Sequence, residues 1–152
     1  MSLLRAFLRR PMADRVLVVH AMVLHLAVAA LVRVMSPRRV MAWLTARDVL
    51  PFQRPVREVQ ALRDESARVV WAVRTATHLM PAGKTCLTEA LTARCLLRQR
   101  GADAALRIGV ALATDAGARL AAHAWLEHAG RIIMGGETAD RYEPLPLARR
   151  HR

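Results

Sequence analysis

An α+β fold is what this 152-residue chain predicts, with helices first and a small antiparallel sheet after them. Three observations carry that expectation. Up to Gly101, long stretches repeat their apolar residues every three or four positions; beyond it the period drops to two. Turn chemistry at Asp115-Ala116-Gly117 and at Ala129-Gly130 then separates the alternating runs. The expected core is a helix that begins at a cysteine and packs on that sheet.

Pro11 followed by Asp14 opens a long helix to about Met35, stopped by Ser36-Pro37. Ser36 as a cap and Pro37 in a first turn start a shorter helix through Trp43 and Leu44. Residues 48–55, with prolines at 51 and 55, read as a connection. Residues 1–55 are therefore expected as a helical segment packed on a core of residues 56–152, in one compact domain. A third helix runs from about Val56 to Leu79, with Val59, Leu62, Val69, Val70 and Val73 on one stripe, until Pro81 and Gly83 stop it. The next opens at Cys86 and continues through Leu87, Leu91 and Cys95 to a natural end at Gly101. Leu106, Ile108, Val110 and Leu112 alternate with Arg107, Gly109 and Ala111 as a first strand; Leu120 to Glu127 and Arg131 to Met134 make the second and third.

Composition narrows the function classes. The chain is 54% hydrophobic but only 4% aromatic, and its length suits a single core. Its formal charge of +12 comes almost wholly from scattered arginines, Lys84 being the lone lysine, with no basic run longer than two. No aromatic platform or zinc spacing accompanies them, so nucleic acid is not the expected partner; an acidic peptide or protein fits the charge at least as well. Residues 16–32 are mostly apolar, interrupted by His20 and His25, at the lower edge of what spans a bilayer. A buried helix is the first reading, a helix against a membrane surface or partner the second. Cys86 and Cys95 lie nine residues apart on one helix, about 13 Å of rise, too far for a disulfide. Free thiols point to a reducing compartment, hence the cytoplasm. No metal and no cofactor is expected from these spacings.

The chemistry-bearing residues are Cys86 and His123. A thiol at a helix mouth meets unpaired N–H groups and the positive end of the helix dipole, which favour thiolate, and a histidine on a neighbouring strand can take the proton. Cys95, mid-helix on the apolar stripe, reads as a packed small hydrophobe. Of six histidines, His20 and His25 sit in the long apolar helix, His78 near a helix end, His128 at a turn and His151 in a charged tail; His123 alone lies within an alternating strand, in Ala122-His123-Ala124-Trp125. His123, Trp125 and Glu127 should share a face, with Glu127 about 13 Å away along the strand. A two-residue turn at Ala129-Gly130 would place His123 opposite Gly136, so an orienting carboxylate is sought between 135 and 140. Glu137 and Asp140 are the candidates.

These residues carry a resemblance. The stretches CLTEALTARCLLRQRGADAALRIGVAL from Cys86, AHAWLEHAGRIIMGG from Ala122 and DRYEPL from Asp140 resemble the B-type leader peptidases of lasso-peptide biosynthesis, cysteine proteases of the transglutaminase-like superfamily. The resemblance spans about Trp71 to Leu147 and implies a transglutaminase/papain-like core. It also implies a Cys-His-Asp triad that cuts the leader from a ribosomally made precursor, with Cys86 as nucleophile and His123 as base. Where many relatives carry Asp twelve residues after the histidine, this chain has Gly135. No leader-recognition domain is readable before Cys86, so the resemblance implies a stand-alone peptidase with a separate recognition protein and an asparagine-synthetase-like cyclase as partners. A non-catalytic scaffold or an acyltransferase of a peptide-modifying complex is the alternative.

Overall fold

The computed structural model describes residues 9–35, 39, 59–102, 104–112 and 120–145. Among the described residues, three helices pack together and against one four-stranded antiparallel sheet. They are α1 (Met12–Val34), α2 (Val59–Leu79) and α3 (Cys86–Gln99); the strands are β1 (Ala105–Leu112), β2 (Leu120–His128), β3 (Arg131–Met134) and β4 (Glu143–Pro144). The sheet order is β3-β2-β1-β4. This is the α+β arrangement the periodicities predict. The expected short helix at 37–44, the connection at 48–55 and the turn at 115–117 lie outside the described residues.

Helix α1 starts after Pro11, whose missing N–H is no loss at a helix start. It buries Leu17, Val18, Ala21, Val28 and Ala29 on one side, the spacing of a helix laid on a core. Asp14 in its first turn accepts from Arg68 Nη2 at 2.7 Å, tying α1 to α2. Helix α1 is long and apolar enough to cross a membrane by length and composition. Its outer face is apolar as well: Met12, Val16, Val19, Val23 and Leu26 are exposed. Helix α2 presents Val69, Ala72, Val73 and Ala76, all fully buried, and the small alanines let neighbouring helices come close. The buried residues of all three helices and of the sheet join in one cluster.

Helix α3 is fixed at both ends. Thr85 caps its start in a reciprocal capping box with Thr88. At its end Gly101, at φ 80°, turns left-handed, while Ala102 N–H donates to Leu97 O and Gly101 N–H to Arg98 O, both at 3.0 Å. That pair of bonds is a Schellman motif, and it requires the glycine.

In the sheet, β1 and β2 pair from Ala105↔Glu127 to Leu112↔Leu120. One face carries Leu106, Ala124 and Leu126 into the core; the other aligns Gly109 with His123 and Arg107 with Trp125. Ala129 and Gly130, both at positive φ, make the tight turn that sets His128 against Arg131. The register does not continue to His123↔Gly136 as expected. A bulge between Leu126 and Glu127 shifts it, so Leu126 faces Met134 and β3 ends there. Strand β4, not foreseen, crosses back beside β1, with Gly109 opposite Pro144.

Candidate active site

Cys86 is the first residue of α3, half-buried, presented by a turn that the local sequence builds tightly. Lys84 N–H donates to Pro81 O at 3.0 Å, and Gly83 takes φ +71° at the turn's third position. A Cβ on Gly83 would stand 2.6 Å from the Ala29 Cβ of α1. Only glycine satisfies both demands. Thr88 Oγ1 then donates to the Gly83 carbonyl at 2.9 Å, locking the turn to the helix it precedes.

His123 sits on β2 with its ring between two aromatic neighbours. Trp125 stacks at 6.1 Å between centroids and 22° between planes; Tyr142 lies at 5.1 Å and 31°. Gly109 across the strand makes room for them, because a Cβ there would meet the Trp125 ring and Tyr142 Cβ at 2.8 Å. The ring's Nε2 is 2.8 Å from the Gly135 carbonyl oxygen, and Thr138 Oγ1 is 3.5 Å from the same nitrogen. A carbonyl can only accept, so Nε2 carries the proton and the neutral ring keeps its lone pair on Nδ1.

Neither carboxylate considered from sequence meets the ring. Glu137 lines the same cavity but pairs with Arg74. A bond from its own backbone N–H, helped by the Arg74 guanidinium, holds its carboxyl below the usual carboxylate range. Asp140 is exposed on the 3-10 turn Gly136–Arg141, without a hydrogen bond to His123. The group that meets Nε2 is instead the main chain at position 135, the position where many of the resembled peptidases carry Asp. Gly135 adopts φ +77°, and a Cβ there would lie 2.9 Å from the Ala124 carbonyl, so an Asp does not fit this backbone. Glu127 is occupied elsewhere, accepting from Arg107 Nε at 2.9 Å and from Trp125 Nε1 at 3.1 Å.

Cys86 and His123 line one cavity of about 360 Å³, together with Arg74, His78, Lys84 and Glu137. Sequence reasoning placed His78 at a helix end with no further role and did not single out Arg74. Their spacing of four on α2 puts both on the stripe facing the cavity, a relation visible only once α2 is docked. Cys95 is buried among α3's core residues, and burial pushes its thiol up. His25 is buried too, its Nδ1 3.4 Å from Thr92 Oγ1, and desolvation lowers its affinity for a proton. Among the described residues no three His, Cys, Asp or Glu side chains are placed to hold a metal ion.

A half-exposed thiol at a capped helix start, sharing a cavity with an imidazole whose Nε2 is anchored, is equipped for nucleophilic acyl chemistry. No curated protein matches the chain, and no solved structure does. The sequence pattern of the Transglutaminase-like superfamily matches residues 22–146, most of the chain and both site residues, and that superfamily includes cysteine peptidases and acyltransferases. The chain belongs to the transglutaminase-like superfamily.

Proposed function

We propose that this protein is a cysteine peptidase that removes the leader from a ribosomally synthesised lasso-peptide precursor. The observation that supports it most is the shared cavity of Cys86 and His123, with His123 Nε2 held on the Gly135 carbonyl. In this reading His123 Nδ1 takes the Cys86 proton and the sulfur attacks the carbonyl carbon at the leader–core junction. The Cys86 backbone N–H, left unpaired at the helix start, donates to the oxyanion. His123 then returns the proton to the departing amine of the core, forming a thioester to the leader. Water, deprotonated by His123, adds to that thioester and releases the leader acid and the thiol. The Gly135 carbonyl does the orienting that a carboxylate does in a triad: it fixes the tautomer and the ring plane, and it partly offsets the charge of the imidazolium.

The freed core amine suits ring closure by an asparagine-synthetase-like cyclase, with a separate recognition protein delivering the precursor. Such work takes place in the cytoplasm, where both thiols stay reduced, with the exposed apolar side of α1 against a partner or a membrane surface.

The test is incubation of the purified protein with a lasso-peptide precursor, followed by mass spectrometry. Cys86→Ala and His123→Ala should leave the precursor uncut while Cys95→Ala cuts it. Normal cleavage by Cys86→Ala contradicts the proposal. Leader joined to an added amine instead of released as the acid would identify an acyltransferase.

A further inference from the structure

A second cavity, of about 520 Å³, opens between α2 and β3 and is lined by Ala67, Val70, Trp71, Ile132 and Ile133 among others. Arg74 lines both this cavity and the one holding Cys86 and His123. The two are therefore neighbours along one wall. On α2 that wall is a single helical stripe, Ala67, Val70/Trp71, Arg74 and His78, with spacings of three and four. The facing wall is β3, which runs into Gly135 and Glu137 beside His123.

The chemistry changes along the stripe. At the catalytic end it is charged, with Arg74 paired to Glu137 and Lys84 3.7 Å from Glu89. At the far end it is mostly apolar, although Ser66, His128 and Arg131 also line it, and Ile132 is 45% exposed. Strand β3 is also an edge of the sheet, bonded on one side to β2. A strand edge with no further strand paired to it among the described residues, beside an apolar pocket, is the setting in which an extended peptide lies along a sheet and places alternate side chains in pockets.

Resting on the peptidase reading, we infer that this groove holds an extended segment of the substrate peptide, with one bulky aliphatic or aromatic side chain in the apolar pocket while the scissile bond lies at Cys86. From Ala67 to His78 the helix rises about 16 Å, which an extended chain covers in about five residues. The apolar side chain therefore belongs about four to six residues from the cut. Ile132 and Trp71 take its sides, and Arg74 marks the step from the apolar pocket to the catalytic cavity.

The test passes a randomised decapeptide library over immobilised Cys86→Ala protein and sequences the retained peptides by mass spectrometry. Retained peptides should be enriched in Leu, Ile, Val or Phe. Ile132→Arg and Ala67→Trp, both at exposed positions, should weaken the retention of such a peptide about ten- to a hundredfold with the thermal midpoint maintained. Retention without apolar enrichment, or enrichment that survives both substitutions, overturns the inference. The wild-type protein is then given the retained peptides. Cuts four to six residues from the apolar side chain support the groove, and cuts at scattered distances overturn it. Groove-dependent retention without any cutting would instead keep the peptide site and remove the peptidase reading.

Discussion

Replacing Gly135 with alanine separates the positioning of His123 from simple backbone strain. Gly135 stands at φ +77°, where a Cβ costs about 1–2 kcal/mol. The added carbon would also lie 2.9 Å from the Ala124 carbonyl and 3.1 Å from Trp125 Cβ, so the peptide carrying the Gly135 carbonyl has to move. That carbonyl is 2.8 Å from His123 Nε2. Losing a hydrogen bond of ordinary net strength, about 0.5–1.5 kcal/mol, lowers kcat/KM about 2- to 12-fold. Gly130→Ala is the matched control: it has φ +73° but nothing within 4 Å of its Cβ. Urea unfolding should show a loss of about 1–2 kcal/mol in the control and more in Gly135→Ala. Only Gly135→Ala should slow the alkylation of Cys86 and the cleavage of peptide. If both variants lose stability equally and Gly135→Ala retains full Cys86 reactivity, the carbonyl is not what orients His123.

Other outcomes follow from neighbouring geometry. Gly109→Ala drives a Cβ to 2.8 Å from the Trp125 ring and from Tyr142 Cβ, so urea unfolding should register a loss of about 1–3 kcal/mol and near-ultraviolet circular dichroism a change in the Trp125 environment. Ala129→Gly relieves a left-handed alanine at φ 48° and should raise stability by about 0.5–1 kcal/mol in the same assay. Burial lowers the proton affinity of His25 in the fold below its usual 6.5. Below that pH the unfolded chain binds the proton more readily than the fold, so stability declines as pH falls through and below 6.5. Thermal midpoints between pH 7.5 and 5.5 should fall less in His25→Gln than in the wild type.

The fold was largely legible because its punctuation is local. Pro11, Pro81 with Gly83, Gly101 and Ala129-Gly130 each act on their own few residues, and period two after Gly101 needs no tertiary knowledge. The placements of Cys86 at a helix mouth and of His123 within a strand were legible for the same reason. What meets His123 was not. A backbone carbonyl has no residue type, and the bulge at Leu126/Glu127 that brings Gly135 into place follows from packing, not from alternation. Counting along an ideal hairpin pointed to side-chain carboxylates at 137 and 140; the chain instead closes into a 3-10 turn that directs Glu137 to Arg74 and leaves Asp140 exposed. Arg74 and His78 reach the cavity through the docking of α2, which sequence spacing places on a stripe but not against a partner.

Proton transfer from Cys86 to His123 is read from the rate of iodoacetamide alkylation at each cysteine, followed by peptide mapping across pH 5 to 9. Cys86 should react at least about tenfold faster than the buried Cys95 at neutral pH, and His123→Ala should remove most of that advantage and move the rise in rate to higher pH. A Cys86 profile that is the same with and without the imidazole would contradict the account.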